Sequence, residues 1–300
     1  MTSGTASPAE DALHVSAEPR AEPSGAPAFA PIIIEPRPGW RAVDFGELWR
    51  SRELLLFLVW RDIMVRYKQT VLGAGWAIAQ PLMTMLVFTL FFGRFGGMSR
   101  FFEGPYPLAV FAGLLPWQFV STSITSSGLS LVTSANLLKK VYFPRLIIPF
   151  AAVGVHVVDM AFAFLTMAGL MLWYGVAPGA GVLALALLVP WTILTALGAG
   201  TLLSALTVAY RDFRHMIPFL VQIWMFTSPI AYPLERIPEQ YRLAYAINPM
   251  VGLVSGFRAA LLNYDWHWGC MAVSACSSAA MLALGLTYFR RTERRFADIV

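Results

Sequence analysis

Long apolar runs separated by short charged clusters set the pattern of this chain. Val71–Gly93 is uncharged for 23 residues, Met216–Leu234 for 19 and Trp266–Phe289 for 24. Gly104–Leu138 is uncharged for 35 residues, of which roughly 107–132 is the expected span. Leu146–Tyr210 runs for 65 residues with one formal charge, Asp159. That length suits two crossings, broken near Ala177-Pro178-Gly179, since a bilayer core needs about 20 residues per helix. In hydrocarbon every backbone amide must be satisfied within its own segment, so these runs are helices. The pattern predicts an all-α integral membrane protein of six spans, with the membrane domain over 71–290.

Two segments break the pattern. Residues 47–68 read as an amphipathic helix, with Leu48, Trp49, Leu55, Leu56, Val59, Trp60 and Ile63 opposite Arg50, Glu53, Arg61 and Lys68. Its apolar run Leu54–Trp60 is only seven residues, so it is expected to lie in the headgroup plane, within a cytoplasmic region 40–70. Leu243–Phe257 is uncharged for only 15 residues and holds Asn248-Pro249. Residues 235–264 are therefore expected as short helices in the outer interface, with Glu235, Arg236, Glu239, Arg242 and Arg258 as a solvated mixed-charge rim. Residues 1–39 carry seven prolines and eight alanines and are expected to be a disordered cytoplasmic tail. They have no basic segment followed by an apolar one, so no cleavable signal is expected there. Residues 291–300 are the expected C-terminal tail.

Composition agrees. Hydrophobic residues make up 57% and charged residues 13%, against about 45–50% and about 25% in soluble domains. Soluble, disordered and disulfide-scaffold classes are excluded on that ground. Net charge is +5, but the cations flank apolar runs, which points to membrane and away from nucleic acid. Six spans put both termini on one side. That side holds 17 Lys plus Arg and the other five, so the positive-inside rule places both termini in the cytoplasm.

The missing chemistry narrows the function. The chain has three lysines, Lys68, Lys139 and Lys140, and none follows a glycine. A Walker A loop is thus absent, and any ATP hydrolysis belongs to another polypeptide. Cys270 and Cys276 form no metal spacing, and no HExxH, GxSxG or paired-carboxylate cluster occurs. His156 and Asp159 are three apart on one helix face inside span three. An intramembrane carboxylate is costly; it serves either proton coupling or an interhelical packing bond. Span two holds nine hydroxyl side chains in the fourteen residues 121–134, which fit close helix packing or a polar conduit. Aromatics at span ends fit an interfacial belt or stacking on sugar rings.

Several separated motifs then resemble, in order, the permease subunits of polysaccharide-exporting ABC transporters. They are Trp60-Arg61-Asp62-Ile63, Arg66-Tyr67-Lys68-Gln69-Thr70-Val71-Leu72-Gly73, Trp76 and Gln80-Pro81-Leu82. Phe111-Ala112-Gly113-Leu114-Leu115-Pro116-Trp117, Ala135-Asn136-Leu137-Leu138 and Lys140-Val141-Tyr142-Phe143-Pro144-Arg145 follow. Tyr210-Arg211-Asp212, Ser228-Pro229-Ile230, Tyr232-Pro233 and Asn248-Pro249-Met250 complete the set. The similarity covers about residues 45–290 and is nearest to exporters of O-antigen, capsule and teichoic acid.

The resemblance implies a homodimer in the inner membrane that carries two cytoplasmic ABC ATPase subunits. ATP and magnesium would be held by those partners, with no cofactor on this chain. It implies a lipid-linked polysaccharide as cargo. Asn136, Lys139, Lys140, Tyr142, Phe143, Pro144, Arg145, Arg211 and Asp212 are then the expected ATPase contacts. Positive-inside topology alone also accounts for their basic members. Arg61, Arg66 and Lys68 are candidates for the lipid pyrophosphate. Trp76, Trp117, Ser123, Ser127 and Phe226 are candidates for lining the conduit. Two rivals stay open: a permease for a drug, haem or lipid, and a proton-coupled transporter using Asp159.

Overall fold

A computed structural model of the chain describes residues 45–68, 75–140 and 143–293, without the side chains of Phe45, Glu47 and Lys139. Residues 1–44, 69–74, 141–142 and 294–300 lie outside the described residues; they hold the expected tail 1–39, most of the expected tail 291–300, and the motif residues Gln69–Gly73 and Tyr142. The described residues are mostly helical, with loops between the helices and no strand, as an apolar environment demands. Five helical segments are long and apolar enough to cross a membrane.

Two helices, α1 (Phe45–Arg50) and α2 (Arg52–Lys68), come first. The first crossing is α3 (Gly75–Phe88), continued by a π-helical turn over Thr89–Phe95. It is mostly exposed and stands at the bundle edge. The second, α4 (Tyr106–Thr133), is the central column and is buried along most of its length. A short α5 (Ala135–Lys140) leads to α6 (Ile147–Tyr174). That helix stops where Gly175 takes φ 68° and its N–H closes on Met171 and Leu172 carbonyls, a turn that glycine makes without strain. A 3₁₀ turn at Ala180–Ala184 then opens α7 (Leu185–Ala209). The expected break near 177–179 is therefore met.

Predicted span five differs. Instead of one helix over 216–234 there is α8 (Phe213–Phe226), 14 residues or about 21 Å long. It ends because Ser228 precedes Pro229, which disfavours helix before it and offers no N–H. The chain then forms a hook through Pro233. After it come α9 (Glu239–Tyr245) and α10 (Pro249–Leu262), bent 110° against each other. By length and composition this bent pair is a sixth candidate crossing. The last helix is α11 (Trp268–Glu293).

Helix α9 is short and largely exposed, as expected, but α10 requires a correction. Pro249–Leu261 is buried throughout, against α4, α7 and α11. A 14-residue helix that includes Arg258 is thus enclosed by the bundle. Its start is capped by Asn248, whose Oδ1 accepts from the Met250 N–H at 3.0 Å and from Trp224 Nε1 at 2.7 Å. The same amide donates to the Thr227 carbonyl and the Ser228 hydroxyl, so all of its polar capacity is spent on joining α10 to the hook.

Close helix approach rests on small residues, as expected where lipid gives no hydrophobic drive. A Cβ on Gly285 of α11 would fall within van der Waals contact of the Gly198 carbonyl of α7, and a Cβ on Gly198 would sit 2.7 Å from the Leu282 nitrogen. Across the same seam Trp191 Nε1 and Thr195 Oγ1 both donate to Ser278 Oγ, at 2.8 and 2.9 Å.

Candidate functional site

The helix α2, expected to be amphipathic, does not present one apolar face and is not free in the headgroup plane on all sides. Leu58 is 3% exposed and packs with Leu54, Leu55 and Val59 on Ile147 and Ala151 of α6. Leu56, Phe57, Trp60 and Met64 stay exposed on the other flank. The predicted apolar side thus divides: Leu55 and Val59 face protein, while Leu56 and Trp60 face outward. Snorkelling cations beside this exposed flank suit the headgroup level.

At the end of α2 the chain builds a polar clasp. Arg66 Nη1 donates to Asp159 Oδ2 at 2.5 Å, and Tyr67 Oη donates to Asp159 Oδ1. His156 Nδ1 lies 2.9 Å from the same Oδ2, and its Nε2 lies 2.8 Å from Ser126 Oγ. Arg66 and Tyr67 of α2 and His156 of α6 thereby meet on one carboxylate, and His156 links it to Ser126 of α4. Burial, with the hydrogen bond to Asp159, raises the Tyr67 pKa above its ordinary value, so the phenol stays a donor. Of the two readings of Asp159, this geometry realises the interhelical packing bond.

Two cavities flank the clasp. One, of about 200 Å³, is lined by Arg61, Asp62, Arg66, Ser126, Ser130, Thr133, Ser134 and His156 among others. The other, of about 260 Å³, lies between α2, α3, α4 and α6, with Arg66, Tyr67, Trp76, Gln80, Gln118 and Thr122 on its wall. The hydroxyl-rich stripe of α4 therefore splits. Ser126, Ser130, Thr133 and Ser134 face the first cavity. Ser123 and Ser127 are fully buried, and a Cβ on Gly200 of α7 would lie 2.7 Å from the Ser127 hydroxyl.

The candidate conduit residues are not brought together. Trp76 is exposed at the start of α3. Trp117 is 3% exposed and meets Trp224 edge to face at 6.2 Å. Phe226 is exposed at the end of α8, on a stripe with Met216, Phe219 and Ile223. Within one chain, then, Ser123, Ser127 and Trp117 serve packing. Of the headgroup candidates, Arg66 is tied to Asp159, Arg61 pairs with its neighbour Asp62 at 2.8 Å, and Lys68 is exposed.

The expected ATPase contacts do gather at one end. Leu48 of α1, Leu131, Leu138, Phe143, Leu146, Val208 and Phe289 share one apolar cluster there. Phe143 is half-buried in it and in the cluster beneath α2, so it anchors the connection. Arg145 Nη1 donates to the Glu293 carbonyl at 2.6 Å. Asn136, Lys140, Arg211 and Asp212 are exposed. Pro144 is half-buried; Tyr142 and the Lys139 side chain lie outside the described residues. Arg211 also lines a cavity of about 420 Å³ with Arg214 and His215.

The residue that sequence reasoning missed is Arg258. Expected on a solvated rim, it is 4% exposed on α10. Its Nε donates to the Ala109 carbonyl at 2.9 Å, Nη1 to Pro229 at 2.8 Å and Tyr232 at 3.2 Å, and Nη2 to Ile230 at 2.6 Å. The guanidinium also stands 4.9 Å over the Phe102 ring. It satisfies the hook carbonyls of Pro229, Ile230 and Tyr232 and ties them to α4 through Ala109, which a planar five-donor fork does and an ammonium does not. The sequence signal was available: a lone Arg in an apolar helix that follows an Asn-Pro cap. Nearby, His267 Nε2 pairs with Glu235 Oε1 at 3.2 Å. That bond raises the His267 pKa and lowers that of Glu235.

These features define a polytopic α-helical membrane protein with a clasped N-terminal helix, exposed basic loops at one end and a broken helix near the other. Residues 53–262 match the profile of the ABC-2 type transporter family, and the chain belongs to that family. It is 32% identical over 258 residues to the O-antigen export system permease protein RfbA of Myxococcus xanthus, covering 85% of this chain and 98% of that protein. A Klebsiella pneumoniae protein of the same description is 26% identical over 255 residues, 83% of this chain and 95% of that protein. The polysialic acid transport protein KpsM of Escherichia coli is 25% identical over 242 residues, 79% and 92% respectively.

Proposed function

We propose that the chain is the permease subunit of an ABC exporter that carries a lipid-linked polysaccharide across the inner membrane. The observation that carries this reading is full-length kinship with named polysaccharide exporters. A drug, haem or lipid as cargo has no comparable support. Hydrolysis of ATP falls to a separate cytoplasmic subunit, because no glycine-lysine loop exists in the chain to hold a nucleotide. Two permeases and two ATPases make the working unit, with both permease termini in the cytoplasm.

In this reading the exposed side chains Asn136, Lys140, Arg211 and Asp212 meet the ATPases, together with Lys139, Tyr142 and Pro144. Phe143 and Arg145 brace that surface from behind by tying α5, α6 and α11 together. Closure of the ATPases pushes on α1, α2 and α5, and the Arg66–Asp159 clasp passes the displacement to α6 and α4. Arg61 and Lys68, the cations not tied across helices, take the pyrophosphate of the carrier. Arg66, paired with Asp159, holds the end of α2 in place for them.

The test is affinity purification from native membranes, with glycan analysis after gene deletion. The expected result is one co-purifying ABC ATPase and intracellular accumulation of a lipid-linked glycan. Purification without any ATPase, or deletion without accumulation, refutes the reading.

A further inference from the structure

We propose that the cavity between α2, α3, α4 and α6 is a binding site for a single neutral sugar ring. The inference rests on the export reading above and adds a recognition site to it. The space is about 260 Å³, just under the roughly 300–1,000 Å³ of sites for drug-sized ligands. It has room for one ring.

The wall has the chemistry of carbohydrate recognition. Trp76 offers an exposed indole at the mouth of the cavity, 57% accessible. A pyranose presents an apolar C–H face to such a ring, and its hydroxyls point outward around the edge. Gln80 lies one helical turn from Trp76 on the same face of α3. Gln118 and Thr122 stand one turn apart on α4 across the cavity. Among the described residues neither glutamine side chain has a hydrogen-bond partner. Each amide brings two donors and an acceptor, which matches adjacent hydroxyl groups. Thr122 Oγ1 donates to the Gln118 carbonyl at 2.7 Å, which leaves its lone pairs free to accept.

Charge decides against an anion here. Arg66 and Asp159 are the charged groups on the wall, and they neutralise each other at 2.5 Å. Both carboxylate oxygens already accept from Arg66, Tyr67 and His156. The clasp therefore holds the wall in place, and recognition falls to Trp76, Gln80, Gln118 and Thr122. A pyrophosphate finds no net positive charge in this space.

The experiment uses the permease, purified with its ATPase partner and placed in lipid nanodiscs. Saturation-transfer NMR is recorded with methyl glycosides of glucose, galactose, mannose and N-acetylglucosamine as probes. The expected result is transfer to the ring protons of at least one glycoside, unaffected by inorganic pyrophosphate. Trp76→Phe keeps it, whereas Trp76→Ala weakens binding about tenfold, the worth of one good aromatic contact. Gln118→Ala serves as an independent variant, with a similar loss expected, should Trp76→Ala fail to fold. No transfer from any glycoside overturns the proposal. Transfer unchanged in both alanine variants, or displaced by pyrophosphate, also overturns it. If gene deletion still accumulates glycan while no glycoside binds, this inference alone has failed. If deletion accumulates none, the export reading has failed with it.

Discussion

Replacing Arg258 by methionine removes a buried cation of similar bulk together with its four hydrogen bonds to the carbonyls of Ala109, Pro229, Ile230 and Tyr232. A hydrogen bond from a charged donor is worth about 1.5–3 kcal/mol net. Four of them do not simply add, because burying the guanidinium carries its own desolvation cost. What the substitution leaves is a set of buried carbonyls with no donor, in a region where water is scarce. A buried carbonyl left without a donor costs about 1–3 kcal/mol, so with the guanidinium's desolvation relieved a net loss of about 3–5 kcal/mol follows. For a domain of this size that lowers the thermal midpoint by roughly 10 °C. Arg258→Lys keeps the charge, but a point ammonium cannot span carbonyls lying on both α4 and the hook, so it recovers less than half. The assay is thermal unfolding in detergent, with thiol labelling of a Ser228→Cys background. Ser228 is 1% exposed, so labelling is slow in the parent and fast once the hook loosens. Arg236→Met, an exposed position, serves as the control. Arg258→Met melting within about 1 °C of the parent, with Ser228→Cys still protected, refutes the bracing role.

Four further outcomes are expected. Gly285→Val forces α7 and α11 apart and costs about 1–3 kcal/mol as overpacking, whereas Gly169→Ala, with nothing within 4 Å, leaves the thermal midpoint unchanged. Asp159→Asn weakens the hold on Arg66 and lifts α2, read as faster thiol labelling of Leu58→Cys; the partly exposed pair is worth only about 1 kcal/mol. The Glu235–His267 bond contributes most in mildly acidic solution. Its contribution falls as pH rises through the raised His267 pKa, and falls again as pH drops through the lowered Glu235 pKa. The stability difference between the parent and His267→Gln therefore narrows on going to alkaline pH, as melting curves at several pH values will show. Arg61→Ala lowers ATPase activity stimulated by the lipid-linked substrate more than basal activity; equal loss of both points to an assembly role instead.

Much of the fold was legible because a bilayer imposes one simple rule. The runs 71–93, 107–132 and 266–289 became helices at nearly the expected places, since hydrocarbon leaves the backbone no other partner. Reading failed where a side chain took over the backbone's work. Span five stops at Phe226 ahead of Pro229, a local signal; what no local pattern announces is that Arg258, thirty-two residues later, supplies donors to the hook that follows. The same holds for the clasp. His156 and Asp159 share a helix face by spacing alone, but Arg66 joins them across ninety-three residues of chain. The hydroxyls of α4 were visible as a cluster, yet only packing divides Ser123 and Ser127 from Ser126 and Ser130.

The most direct measurement reconstitutes the purified permease in vesicles preloaded with the native lipid-linked glycan and follows glycan appearing on the opposite face. With the ATPase subunit and ATP present, translocation is expected. With the permease alone, with or without a proton gradient, none is expected. Translocation by the isolated permease, or driven by a proton gradient without ATP, contradicts the account.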